Sequence, residues 1–342
     1  MRYLLYPISI IYGCITILRN WFFDYKIIKS NVFSIPIICV GNLSIGGTGK
    51  TPHIDYIINL LKKEYNIVML SRGYKRKSKG FMYVEKNGSP YKYGDEAILL
   101  KNKYSDIIIA VDNNRSAGIQ KILIDYPKTN VILLDDGFQH RKVKAGLYIL
   151  LTEFKKPYFE DHLLPFGRLR ENKKEAKRAD IIIISKCPTK LTASTKNKIL
   201  EKLNKKPNQD VFFSNIIYNK WYSLTKESYV NNFYKYKIIL ITGVANTYSI
   251  INFLKNQDHE VYHIKYNDHH HYNINDIQRI LDIHKKEKNQ YKIILTTEKD
   301  AVKLKSFISK FKGINIYVCP IEININESYT FDKKIINYVK SN

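Results

Sequence analysis

The stretch VGNLSIGGTGKTP (40–52) decides the fold. The apolar run IPIICV (35–40) leads into it, and Ile54, Ile57, Ile58 and Leu61 follow at the i, i+3, i+4, i+7 spacing of an amphipathic helix. Pro52 falls in the first turn of that helix, where its missing N–H costs little. Strand, glycine loop and helix in this order are the setting of a phosphate-binding loop. Gly46, Gly47 and Gly49 let the backbone bend so that its N–H groups converge on an anion, with Ser44, Ile45 and Thr48 completing the loop. A helix N-terminus behind the loop adds a favourable field. In such a loop Lys50 reaches the β- and γ-phosphates and Thr51 holds Mg²⁺. One position departs from the G-x-x-x-x-G-K-[ST] spacing: its first glycine is replaced by Ser44.

Working outward, short Ile- and Val-rich runs recur at 67–70, 107–111, 131–134, 147–151 and 181–185. They do not alternate, which is the pattern of strands buried on both faces of a parallel sheet, and helical stretches between them complete an α/β reading. From about 186 the chain becomes charged, and a second α/β unit starts at KIILITG (237–243). The expected organisation is an N-terminal apolar helix over 1–30, a P-loop domain over 31–210, linker strands over 211–236 and a smaller α/β domain over 237–342.

The 342 residues carry 56 Lys and Arg against 31 Asp and Glu, a formal charge of +25. Such a surface attracts polyanions. No zinc-finger spacing or aromatic-basic RNA-binding signature accompanies it, so nucleic acid is not the expected partner. The four cysteines are scattered without a CxxC, which fits a reducing compartment. The segment YLLYPISIIYGCITIL (3–18) is uncharged, but its 16 residues fall short of the roughly 20 needed to span a bilayer. Two readings stand: a helix dipping into one leaflet, with Trp21, Phe22 and Phe23 at the headgroup boundary, or a core helix packed on the first domain.

Other segments carry chemistry. VILLDDGFQH (131–140) is an apolar strand ending in Asp135 and Asp136, the arrangement in which one carboxylate helps hold Mg²⁺. Neighbouring residues of an extended strand point opposite ways, so one of the two faces the metal. YGDEAILL (93–100) places Asp95 and Glu96 before an apolar run, and LSRGYKRKSKG (70–80) places Arg72 past a strand end. His269–His271 in YNDHHHYN (266–273) match neither HExxH nor any spaced ligand pattern, so a zinc cage is not expected.

Taken together, VGNLSIGGTGKTP, LSRGYKRKSKG, GDE, DDGFQHRK, LLPFGRLRE, DHH and TTEKDAVKL resemble, in order, the motifs of the tetraacyldisaccharide 4′-kinases, the lipid A kinases of Gram-negative bacteria. The resemblance implies ATP- and Mg²⁺-dependent phosphorylation of the 4′-hydroxyl of a tetraacylated glucosamine disaccharide 1-phosphate, the lipid A precursor, to give lipid IVA. It implies two α/β domains with the site in the cleft between them, and work at the cytoplasmic face of the inner membrane. Ser44 is that family's own form of the loop. By the same resemblance Lys50 and Thr51 match the phosphate and metal ligands, Asp95 the general base, and His269 the histidine that assists it from the second domain. Glu96, Asp135 and Asp136 match acidic positions around metal and nucleotide. Arg72, Gln139, His140, Arg170 and Glu171 lie in matching motifs as phosphate or substrate candidates. Ala97 and Asn172 stand where the family has proline, and Asn114 where an acid precedes Arg115. A rival reading, a membrane-partitioning P-loop ATPase, needs a lysine where Ile45 stands.

Overall fold

The computed structural model describes residues 2–226, 228–230 and 234–342. Helix α1 (Tyr6–Asp24) comes first. Strand β1 (Ile37–Asn42) is buried along its whole length, as a non-alternating apolar run requires of a strand covered on both faces, and its loop opens α2 (Lys50–Leu61). There follow β2 (Ile67–Ser71), β3 (Met82–Tyr83), α3 (Pro90–Tyr93), α4 (Asp95–Lys103), β4 (Ile108–Val111), α5 (Arg115–Asp125), β5 (Val131–Asp135), β6 (Leu147–Glu153), β7 (Ile181–Ser185), α6 (Ala193–Leu203) and β8 (Asp210–Tyr218). The chain then crosses to a second unit. It comprises β9 (Tyr222–Ser223), β10 (Lys237–Thr242), α7 (Tyr248–Lys255), β11 (Glu260–Lys265), α8 (Ile274–Lys286), β12 (Lys292–Thr297), α9 (Glu298–Leu304) and β13 (Ile316–Cys319). Strand β14 (Ile321–Ile325) and α10 (Ser328–Lys340) end the chain.

Among the described residues the strands make two sheets. The larger has the order β14-β8-β7-β6-β1-β5-β2-β4-β3, parallel throughout except at its edges, where β14 and β3 run antiparallel to their neighbours. The smaller has the order β11-β10-β12-β13-β9, parallel but for β9. In the larger sheet the order turns back at β1, which lies between β5 and β6. A crevice opens at such a switch point, beyond the carboxyl ends of the strands.

The end of the chain differs from the expected division. Residues 321–340 were assigned to the smaller unit, yet β14 pairs with β8 in the larger sheet, Ile323 opposite Ile216. The reason is apolar burial: Phe331, Ile335 and Val339 of α10 complete the same core as Ile54, Ile57 and Ile58 of α2. Strand β8, expected within a linker, likewise pairs with β7. The two units are therefore joined by two crossings, one after Tyr218 and one at Pro320.

Helix α1 packs in the opposite sense to an ordinary surface helix. Its buried positions are Ser9, Gly13, Thr16, Asn20 and Phe23, while Ile8, Ile11, Ile15, Leu18 and Trp21 are exposed. The buried stripe is held by polar contacts. Tyr12 Oη donates to the Arg170 carbonyl at 2.7 Å, and Phe166 N–H donates to Ser9 Oγ at 2.8 Å. A Cβ on Gly13 would stand 2.8 Å from Leu163 Cδ1, so the helix is seated closely. Among the described residues no helix is long and apolar enough to cross a membrane.

Candidate active site

The loop after β1 is built in two halves. In the first, Ser44 makes an antiparallel bridge with Leu169, Ile45 N–H donates to the Arg168 carbonyl at 2.8 Å, and Arg170 N–H donates to the Leu43 carbonyl at 2.7 Å. This half is extended and pinned to the 163–172 segment, so it needs no glycine, and Ser44 is accommodated there. The second half turns. Gly49 sits at φ 91° as the N-cap of α2, in a left-handed conformation that side chains disfavour, and no side chain caps the helix. The first N–H groups of α2 are thereby left for a ligand. The turn is braced from behind. Asn42 Nδ2 donates to Thr48 Oγ1 at 2.9 Å, Ser185 Oγ donates to the Thr48 carbonyl at 2.8 Å, and Lys186 Nζ donates to the Gly47 carbonyl. Thr51, half-buried, is the second residue of the helix.

Strand β5 lies beside β1 with Asp135 level with Val40, so both acids of the DDG motif end up behind the loop. They are treated differently. Asp136, at φ 52°, accepts from Arg170 Nη1 at 2.9 Å and lies 3.5 Å from Lys50 Nζ. Burial raises its carboxyl, but Lys50, Arg170 and Arg115 outweigh that and hold it below the usual carboxylate range. Asp135 makes no ion pair among the described residues, and the charge of Lys50 offsets its burial only in part. Its Oδ2 accepts from Ser71 Oγ at 3.3 Å, its buried Oδ1 accepts from no one, and burial pushes its carboxyl up to about 7.

A second cluster faces the loop from across the crevice. Gly94, at φ 93°, ends α3 and begins α4, and a Cβ there would lie 3.1 Å from Gly73 Cα. Only glycine fits this approach, and it sets Asp95 at the first position of α4. From the smaller unit, the loop after β11 carries His269 at φ 60°, with its N–H donating to the Gly243 carbonyl at 3.1 Å. His269 Nδ1 lies 3.2 Å from Asp95 Oδ2, and both residues are buried. Helix α9 adds two lysines. Lys303 Nζ lies 3.5 Å from Asp95 and 3.1 Å from Asp300, and Lys299 Nζ lies 2.9 Å from Glu96. Burial raises Asp95, but the hydrogen bond from His269 and the charges of Lys303 and Lys299 prevail and hold it low, so it is ionised at neutral pH.

The remaining candidates separate. Gln139 joins the loop, its Nε2 donating to the Asn42 carbonyl at 2.8 Å and its Oε1 accepting from Arg170 at 3.3 Å. Arg72 is exposed past β2, and the half-buried His140 is pushed down to about 4 by burial and by neighbouring cations, Arg115 first among them. Glu171 does not come to the site. It turns the other way, buried under Arg178 and Arg19, and anchors α1. Arg115, Lys186, Lys299 and Lys303 went unassigned in the sequence, where lysine and arginine are too abundant to stand out. The i, i+4 spacing of Lys299 and Lys303 beside Asp300 was the available signal. His270 pairs instead with Asp276, at 2.8 Å, and His271 stacks on Tyr91.

A phosphate-binding loop at the switch point of a parallel sheet, facing an ionised carboxylate hydrogen-bonded to an imidazole, is a layout suited to phosphoryl transfer to a hydroxyl. The family model described as tetraacyldisaccharide-1-P 4′-kinase matches residues 1–340, and the chain belongs to that family. It is 46% identical to the tetraacyldisaccharide 4′-kinase of Flavobacterium psychrophilum, over 100% of this chain and 98% of that one. It is 40% identical to the enzyme of the same name from Bacteroides thetaiotaomicron, over 99% and 93%. The crystal structure of the apo form of LpxK from Aquifex aeolicus in complex with ATP superposes with a TM-score of 0.77 at 29% identity, covering 99% of each chain.

The state of Asp135 yields a pH prediction. Its carboxyl binds a proton more tightly folded than unfolded, so this group subtracts stability as pH rises from about 4 to about 7, and the full penalty stands above that. In metal-free buffer at about pH 8, Asp135→Asn raises Tm by roughly 2–4 °C, and the gain vanishes near pH 4. Thermal denaturation followed by circular dichroism checks this, and an unchanged or lowered Tm at pH 8 contradicts it.

Proposed function

We propose that this chain transfers the γ-phosphoryl group of ATP to the 4′-hydroxyl of tetraacyldisaccharide 1-phosphate, with Asp95 as the base. The observation that carries the reading is the Asp95–His269 contact made across the crevice from the phosphate loop. The N–H groups at the start of α2, with the glycine turn and Lys50, hold the ATP phosphates. Lys50 and Arg170 both contact Asp136 beside the loop, within reach of a γ-phosphate held there.

The site fits Mg²⁺. The unpartnered, buried Oδ1 of Asp135 is the atom a cation would satisfy. Among the described residues no group of three or more His, Cys, Asp or Glu gathers to cage a metal, and Mg²⁺ shared with a nucleotide needs only one or two carboxylates. Asp135 and Thr51 would hold it, with Glu96 facing Asp135. When bound it would offset the negative charge of the transferring phosphoryl group.

With Oδ2 of Asp95 occupied by His269, Oδ1 is left to accept the proton of the sugar hydroxyl. The hydroxyl oxygen bonds to the γ-phosphorus, the bond from that phosphorus to the β,γ-bridging oxygen breaks, and ADP leaves. A carboxylate is a weak base for an alcohol, but in a loose transition state the proton leaves late and positioning dominates.

The substrate is a lipid, and α1 supplies a way to meet it. Its polar stripe faces the protein and its isoleucines face outward, an arrangement suited to a bilayer interface and unsuited to water. The basic surface favours the anionic cytoplasmic face of the inner membrane.

Two tests follow. With γ-labelled ATP and tetraacyldisaccharide 1-phosphate in detergent, label appears in the lipid, and Asp95→Ala lowers kcat by about 10²–10⁴ with ATP binding retained. Release of phosphate to water without labelled lipid, or normal turnover by the variant, contradicts the reading. For the membrane, replacing Ile8, Ile11, Ile15 and Leu18 together by serine abolishes co-sedimentation with anionic vesicles. Unchanged co-sedimentation removes α1 from that role.

A further inference from the structure

We propose that Lys299 is a positioning residue that locks His269 in its Nδ1–H tautomer, so that the ring donates to Asp95 and cannot accept from it. The inference rests on Asp95 being the base and deepens that reading.

Lys299 is the second residue of α9, in the first turn, where a cation opposes the helix dipole. Nothing in the helix itself calls for a lysine there. Its surroundings do. Nζ lies 2.9 Å from Glu96 Oε1, 3.8 Å from Asp268 Oδ1 and 3.0 Å from His269 Nε2. Burial disfavours the ammonium, but Glu96, Asp268 and Asp95 outweigh burial and hold its pKa above the ordinary lysine value, so it is charged.

An ammonium has three donors and no lone pair. At 3.0 Å it can only donate to His269, so Nε2 must be the accepting nitrogen. A neutral imidazole carries one N–H, and which nitrogen bears it follows from what the other one bonds. The proton therefore sits on Nδ1, facing Asp95 Oδ2 at 3.2 Å. With the proton on Nε2 instead, an N–H would point at the ammonium, and the Nδ1 lone pair would point at a carboxylate oxygen. Both contacts are repulsive. The lock holds one oxygen of Asp95 and leaves the other for the sugar hydroxyl.

The lock also spans the two units. Lys299 and His269 belong to the smaller unit, Asp95 and Glu96 to α4 of the larger. Lys299 thus assigns the tautomer within the smaller unit, and the ring orients the base only while the units are together. The other groups around the ring agree with this. Tyr74 presents its ring at 5.0 Å between centroids, Lys303 Nζ lies 3.5 Å from the same Oδ2 of Asp95, and Glu96 Oε1 and Asp268 Oδ2 lie 3.7 and 3.8 Å from Nε2, farther than Lys299. Remove the ammonium, and those two carboxylates become the partners of a protonated Nε2.

The test reads the tautomer directly. Full-length protein labelled with ¹⁵N-histidine in detergent is examined by long-range ¹H–¹⁵N correlation, with His269 assigned by its loss in His269→Gln. In the unaltered protein the ring is protonated at Nδ1 only. In Lys299→Met Nε2 is protonated as well, beside Glu96 and Asp268, and kcat falls on the order of 10- to 100-fold with KM for ATP unchanged. Lys299→Arg, which keeps a donor, restores the Nδ1–H form and part of kcat. A ring protonated at Nε2 in the unaltered protein overturns the proposal whatever the variants do, and so does a Lys299→Met protein whose Nε2 stays unprotonated. Asp95→Asn decides the underlying reading separately. Normal turnover in that variant removes the base, while the spectrum of the unaltered protein still decides the tautomer.

Discussion

The site depends on one hydrogen bond between residues 174 positions apart, from His269 to Asp95. Neither sheet makes it alone. On one side Gly94, pressed against Gly73, aims the first residue of α4 into the crevice. On the other, His269 is held in a left-handed conformation by the carbonyl of Gly243, whose own N–H donates to Asp300 at 2.9 Å. Asp300 is wholly buried, and it also draws in Lys303, which reaches the same Oδ2 of Asp95 that His269 contacts. The carboxylate is thus gripped by groups of the smaller unit while its backbone belongs to the larger. The strained backbone at His269, and at Asp136 behind the loop, is the kind of local cost that packing elsewhere sustains at functional positions.

Charge is divided in the same way. The chain as a whole is strongly basic, but in the crevice acids and cations are paired: Glu96 and Asp268 with Lys299, Asp95 and Asp300 with Lys303, and Asp136 with Lys50 and Arg170. The two acids of the DDG motif take opposite parts. Asp136 is ionised and held by Lys50 and Arg170, and Asp135 is buried with burial outweighing the charge of Lys50. An incomplete carboxylate next to a glycine loop is what a nucleotide with its metal would complete.

The loop and the strands around it were legible because their physics is local. A glycine turn before a helix, and Ile-rich runs buried on both faces, carry their environment in their composition. Membership of β14 and α10 in the larger sheet was not legible. An amphipathic helix and an edge strand show that they need a core, but not which of two cores receives them. Helix α1 misleads for a related reason. Periodicity assumes that apolar residues turn inward, and here Ser9, Thr16 and Asn20 do so instead. The resemblance implies the pairing of Asp95 with His269, but the roles of Lys299 and Lys303 arise only when α4 and α9 meet. Glu171 shows the limit from the other side: it is adjacent to Arg170 in the chain, yet one side chain goes to Asp136 in the crevice and the other to the anchor of α1.

If Asp95 and His269 act as a single unit across the crevice, their losses cannot multiply. The most direct measurement is kcat for Asp95→Asn, His269→Gln and the double variant under saturating ATP and lipid. The account predicts that the double variant is no slower than Asp95→Asn alone, because once the base is gone there is nothing left for the imidazole to orient. A double variant slower by the product of the two single losses would show that the residues act independently and would contradict it.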